Sequence, residues 1–144
     1  MIMKNYLRLI PLAIIIVLGY SCHDNVPYYD VRDEYIGDYN VYDDCGAFTS
    51  DYSLTLFKYG NSNEIIFGFP GLYEAGFEVT GLVTGMKVVI PVQQFSIAPD
   101  VFYEFSGSGS LNDTVLTMAY QVLTIQGTLI IDEVDCIAEL VRWQ

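Results

Sequence analysis

Residues Gly37–Cys45 read GDYNVYDDC, and what pairs with this stretch decides the fold. Alternation along it places Tyr39, Val41, Asp43 and Cys45 on one face, the two-residue period of a strand with one buried side. Near the other end of the chain, in DCIAELVR (Asp135–Arg142), the residues Cys136, Ala138, Leu140 and Arg142 share a face in the same way. In an antiparallel pair the numbers of directly opposed residues sum to a constant. Setting Cys45 opposite Cys136 makes that sum 181, which also sets Tyr39 opposite Arg142. Directly opposed residues stand about 4.5–5.5 Å apart at Cα, a spacing a disulfide can bridge. The alternative is two buried thiols that never meet, and a bulge in either strand would shift the register. If the first strand pairs with the last, the sheet closes on itself.

The sequence between them supplies the remaining strands. GDYNVYDD (37–44) is followed by YSLTLFK (52–58), EIIFGF (64–69), FEVTGLV (77–83) and VVIPV (88–92). VFYEFSGSG (101–109), DTVLTMAYQV (113–122) and TLIIDEVDCIAELVR (128–142) complete eight candidates. GNSNE (60–64) and TGMK (84–87) read as turns, PGLYEAG (70–76) as a loop, and Pro91 marks an edge, an end or a bulge. No segment carries a sustained apolar stripe at helical spacing. The expectation is therefore an all-β domain, an antiparallel up-and-down meander closed or nearly closed into a barrel, with a sandwich as the alternative. Closure also removes the edges that such apolar strands would otherwise expose.

The chain has 144 residues, enough for one domain. Its start differs from the rest. MIMKNYLRLI carries Lys4 and Arg8 with no acid, and the apolar run from Leu9 to Gly19 is 11 residues long. A membrane-spanning helix needs about 20, so residues 1–21 read as a secretory signal rather than a permanent span. Without that segment, Arg32, Lys58, Lys87 and Arg142 face 18 acids, a net charge near −14. So acidic a surface repels phosphate backbones and anionic lipid heads, which sets nucleic acid aside and leaves membrane attachment to an anchor. Solubility accounts for the acids without a further role. Three cysteines leave one odd, and Cys22 follows the apolar run directly. His23 to Tyr35 (HDNVPYYDVRDEY) is acidic, broken by Pro27 and without period; residues 22–35 read as a tether, and 36–144 as the barrel domain.

Two resemblances follow from these residues. Leu18-Gly19-Tyr20-Ser21-Cys22 resembles a bacterial lipobox, in the looser form in which the aliphatic residue stands one place early. This implies diacylglycerol on the Cys22 sulfur. Gly37-Asp38-Tyr39 with Arg142 resembles the lipocalin arrangement, a Gly-x-aromatic motif opening the first strand and a basic side chain of the last strand lying over that ring. Tyr39 stands where lipocalins carry Trp. With IPVQQ, FSGSGS and LTMAY, residues 35 to 142 look like the small lipocalin-like lipoproteins of Bacteroidota. That family implies an exported barrel with at most a small-ligand cavity, and no particular ligand.

Chemistry-bearing residues are few. His23 is the one histidine and lies in the tether, so the domain can assemble neither a Ser-His-Asp or Cys-His arrangement nor a histidine-ligated zinc site. Asp43 with Asp44, and Asp132, Glu133 and Asp135, could supply a glycosidase pair or a calcium site. No Asp-x-Asp-x-Asp-Gly loop is present, and such acids are commonly solvated strand ends. SGSGS (106–110) lacks the following helix that a phosphate loop needs and reads as a twisted strand end or glycine bulge. Tyr39, Phe67, Phe69, Phe77, Tyr103, Phe105 and Tyr120 either line a cavity or pack a core; eight-stranded barrels do both. No cofactor or metal is expected. The reading that results is a non-enzymatic, lipid-anchored outer-membrane barrel, facing the periplasm or the cell surface, with a binding or accessory role whose ligand is open, a small apolar molecule or an envelope protein being the candidates. The alternatives are a carboxylate-based hydrolase acting on glycans and a structural subunit of an envelope complex.

Overall fold

The computed structural model describes residues 28–60 and 62–143; the signal segment, Cys22 and His23 lie outside the described residues. Eight strands run in order: β1 (Gly37–Asp44), β2 (Thr49–Tyr59), β3 (Glu64–Phe67), β4 (Val79–Thr84), β5 (Lys87–Ala98), β6 (Val101–Asn112), β7 (Val115–Gln126) and β8 (Leu129–Arg142). Each pairs antiparallel with its neighbours in sequence, and β1 pairs with β8 to close the barrel. Tyr39 stands opposite Arg142, Val41 opposite Leu140 and Asp44 opposite Ile137, all in the register that sums to 181. Beyond Asp44 the same register ends in a disulfide between Cys45 and Cys136.

Alternation puts one row of each strand inside. Val41, Leu54, Leu56, Ile65, Phe67, Val79, Val83 and Val88 are buried, as are Ile90, Phe105, Leu116, Met118, Val122 and Leu140. These side chains form one buried cluster inside the barrel. Gly107 and Gly109 sit mid-strand in unbroken register with β7, opposite Tyr120 and Met118. They form neither a strand end nor a bulge. A Cβ at Gly107 would stand 2.5 Å from the Tyr120 Cβ, so glycine makes room for the ring behind it.

Strand lengths depart from the sequence expectation where a local irregularity resets the alternation. β5 continues to Ala98, because a bulge at Pro91 and Val92 shifts its register against β6 between Ile90 and Gln93. Buried positions change there from even numbers to odd, which hides the period. β3 stops at Phe67 and β4 starts at Val79, leaving an 11-residue connection that holds a turn at Phe69 and Pro70 and a 3-10 turn, Leu72–Glu74.

One end of the barrel is closed by residues read from sequence as tether. Asp30 caps a 3-10 turn, Val31–Glu34, and its carboxylate accepts from the Arg32 backbone at 3.0 Å. The buried Arg32 guanidinium pairs with Asp30 at 2.8 Å and donates to the Tyr59 and Gly60 carbonyls. Lys58 reaches Asp30 at 3.0 Å and Asp33 at 2.6 Å. Tyr35 is fully buried and donates to the Gly85 carbonyl; burial pushes its phenol up to about 12. The tether reading thus fails from Asp30 to Tyr35. Its acids are partners for Arg32 and Lys58, and a turn without long periodicity carries no pattern to read.

At the same end, the Tyr39 hydroxyl donates to the Tyr35 carbonyl and accepts from Arg142 at 2.9 and 3.1 Å. The guanidinium carbon lies 5.5 Å from the Tyr39 ring centre, and Nη2 donates to the Glu34 carbonyl. Arg142 therefore joins β8, β1 and the capping turn.

The disulfide closes a loop of 91 residues across the barrel seam. Replacing Cys45 and Cys136 together by Ala is expected to lower stability by about 2–4 kcal/mol in urea titrations with the sheet retained. A variant as stable as the parent would show the bond to be dispensable.

Candidate functional site

Asp43 is the acid that the fold hides. It follows Val41 on the inner row of β1 and is fully buried, directly beneath the disulfide. Its Oδ2 accepts from the Tyr52 hydroxyl of β2 at 3.0 Å and from the Tyr120 hydroxyl of β7. Cys45 Sγ, a disulfide sulfur without a proton to donate, lies 3.8 Å from Oδ1. Burial raises the Asp43 pKa above the usual carboxylate range, against the opposing effect of the two phenols. Burial likewise raises both phenols, and the Asp43 charge adds to that. All three groups are thus held toward their neutral forms. A protonated Asp43 can direct its hydrogen from Oδ1 toward sulfur, a weak acceptor.

This cluster supports the mouth of the barrel, the end opposite the Arg32 turn. The Tyr52 hydroxyl accepts the Tyr73 backbone N–H at 3.1 Å. Tyr73 lies in the left-handed region with φ of 64°, a conformation that a bulky side chain keeps only when its surroundings hold it. The preceding residue, Leu72, is fully buried and covers the interior. Asp43 thus acts through Tyr52 on the loop that closes the mouth. A chain of aromatic contacts continues from that loop. Phe48 and Tyr73 are 5.4 Å apart between ring centres, Tyr73 and Tyr103 6.2 Å, Tyr103 and Phe105 6.4 Å, and Phe105 and Phe95 5.8 Å. Phe77 stacks on Phe95 at 4.9 Å.

The aromatic residues expected to line a cavity separate into three groups. Tyr39, Phe67, Phe105 and Tyr120 are buried, Phe67 and Phe105 as core packing, Tyr39 as the acceptor for Arg142 and Tyr120 as a donor to Asp43. Phe77 and Tyr103 are half-buried at the mouth. Phe69 is 76% exposed and lies on the outer surface with Trp143 and Asp38. The cause is that β3 ends at Phe67, so the alternation that would have turned Phe69 inward no longer applies.

The acids also divide. Asp43 and Asp44 occupy opposite faces of β1, one inside and one exposed, so they do not form a carboxylate pair. Glu133 and Asp135 share the outer face of β8, where Gln121 donates to them at 2.8 and 3.1 Å. Asp132 lies on the other face. Asp43, Cys45 and Cys136 cluster closely enough for a metal ion, but the disulfide leaves neither sulfur as a thiolate ligand. Alternation alone assigned Asp43 to the inner row. Tyr120 was among the aromatic residues expected inside the barrel, but its bond to Asp43, and the parts played by Tyr52 and the loop residue Tyr73, had no such signal, since they come from separate elements.

A scan against protein-family models finds no match to this chain, and searches of curated proteins and of solved structures find none either.

The raised pKa of Asp43 sets the sign of a pH effect. Between its unfolded value near 4 and its higher folded value, the native state holds a proton that the unfolded chain has released. Stability from this group is therefore complete at low pH and is lost as pH rises through the folded pKa. The stability of the parent minus that of Asp43→Asn is expected to fall with increasing pH above about 4, by at most about 1.4 kcal/mol per unit. Denaturant titrations of both proteins between pH 4 and 8 measure this difference, and a flat or rising difference contradicts it.

Proposed function

We propose that this protein is a lipid-anchored lipoprotein of the bacterial envelope, related to the lipocalin-like lipoproteins, whose small non-enzymatic barrel serves as an outward-facing binding module. The observation that carries this reading is the Cys45–Cys136 disulfide. It pairs two of the three cysteines, leaving Cys22, immediately after the apolar segment, as the odd one. Disulfides of this kind persist in oxidising compartments, in agreement with export.

The geometry suits such an anchor. The described chain enters the barrel at the end closed by Val31–Glu34. The eight residue steps from Cys22 to Asp30 span at most about 28 Å, so an acylated Cys22 would hold the closed end near the bilayer with the mouth away from it. Two or more acyl chains suffice for stable attachment. The buried cluster inside the barrel and the Leu72 cover favour contact through the outer surface and the mouth rims over carriage of a ligand inside. Asp43, enclosed and held by phenols, is placed to support the mouth loop, which supports a non-catalytic role.

Cys22→Ala is expected to abolish acylation and to move the folded domain from the outer-membrane fraction to the soluble fraction. Mass spectrometry of the mature N-terminus and membrane fractionation read this out. A mature-length Cys22→Ala protein that stays fully in the membrane fraction refutes the anchor.

A further inference from the structure

The two halves of the barrel differ in length. β1 to β4 are 8, 11, 4 and 6 residues long, whereas β5 to β8 are 12, 12, 12 and 14. The longer half rises past the shorter at the mouth and has two sides there. On the β5 side the gap is bridged. The Gln93 side-chain amide accepts from the Thr80 N–H at 2.9 Å and donates to the Thr80 carbonyl at 2.6 Å, and Phe95 stacks on Phe77. On the β8 side no strand does this among the described residues. Among the described residues β1 pairs with Ile137 to Arg142, so Leu129 to Cys136 has β7 on one side and no described strand on the other.

Backbone parity shows which groups this free edge presents. The Arg142 N–H donates toward β7, to the Thr114 carbonyl, and the Trp143 N–H donates toward β1, to the Asp38 carbonyl. β8 keeps one register with β7 from Val141 to Asp132, so the alternation runs on unbroken. Odd-numbered residues face the β1 side. The N–H and C=O of Glu133 and Asp135 therefore point outward from the edge, as a ready template for another strand.

The side chains define what that strand must be. Leu129, Ile130 and Ile131 are 69%, 58% and 55% exposed at its upper end, three consecutive apolar residues that a partner strand can cover. Asp132, Glu133 and Asp135 follow, all exposed. A second copy pairing antiparallel along this edge would set those acids against their own kind, which is destabilising across a strand pair. A strand with Lys or Arg at alternate positions meets Glu133 and Asp135 with opposite charge and adds main-chain bonds along the edge. Repulsion of acidic segments then supplies selectivity.

We propose that the free edge of β8, Leu129–Cys136, is a docking site for an extended segment of another protein, basic at alternate positions and apolar where it meets Leu129–Ile131. This deepens the reading of the barrel as a binding module. Its test is independent of the anchor, because acylation of Cys22 and occupancy of this edge are measured separately.

The test uses the mature protein at physiological ionic strength with the peptide (Val-Lys)4, and (Val-Glu)4 as control. Amide hydrogen exchange is expected to show protection of Glu133 and Asp135 on addition of (Val-Lys)4, with at least tenfold weaker binding of (Val-Glu)4. Glu133→Pro removes an edge N–H without removing a bond to β7 and should weaken binding at least tenfold. Glu133→Gln, which keeps the N–H, should weaken it less than threefold. If Glu133→Pro fails to fold, the exchange pattern of the parent decides alone. Failure of (Val-Lys)4 to bind, binding without protection at these two amides, or equal losses in the two folded variants overturns the proposal. Protection that grows with protein concentration in the absence of peptide also overturns it, in favour of a second copy.

Discussion

The pairing of β1 with β8 is the constraint on which the rest of this protein depends. One register places the Cys45–Cys136 bond at the mouth and the Arg142 guanidinium against the Tyr39 hydroxyl near the closed end. A slip by one residue would turn Asp43 outward, turn Asp44 into the core and reverse every other side chain of β1. The seam is thus held by a covalent link at one end and a charge-assisted hydrogen bond at the other. Arg142 also reaches the Glu34 carbonyl, so closure of the sheet and closure of its end are coupled through one side chain.

The two ends are stabilised by different chemistry. At the Arg32 turn, charges are paired close to solvent, with Asp30 held well below the usual carboxylate range by Arg32 and Lys58. Screening by salt limits what such pairs contribute. Under the mouth, Asp43 and two phenols sit in the interior, where the neutral forms are favoured and every hydrogen bond matters more. An apolar residue at position 43 would pack with less desolvation cost. The carboxylate instead connects β1, β2 and β7 and, through Tyr52, holds Tyr73 in a conformation it would not adopt alone.

Closure removes a sheet's edges only where the strands match in length. Here β5 to β8 outrun β1 to β4, and the excess is treated differently on its two sides. Gln93 imitates a strand pair with its side-chain amide, whereas no described strand covers the edge of β8, which three acids and three exposed aliphatic residues flank. The acids guard against indiscriminate pairing, and Leu129, Ile130 and Ile131 stay exposed beside them.

Much of the architecture was legible in the chain itself. Alternation identified the strands, and the numbering of Cys45, Cys136, Tyr39 and Arg142 contained the register of the closing pair, because pleating is local and antiparallel partners obey a fixed sum. The same local rule misjudged Phe69, whose strand stops two residues earlier; Pro91 signalled an edge, an end or a bulge, and the bulge that it marks changes the parity, which hid how far β5 runs on. Alternation could turn Asp43 inward, but it could not supply Tyr120, 77 residues away, or show that Gly107 is small because Tyr120 lies behind it. It gave no sign that Arg32 and Tyr35 close an end, since a single turn has no period. By itself, then, the sequence determined which side chains face inward and which strands close the barrel. Only the tertiary structure decided which inward groups meet and which edge stays open, because those depend on the relative lengths and staggers of strands far apart in the chain.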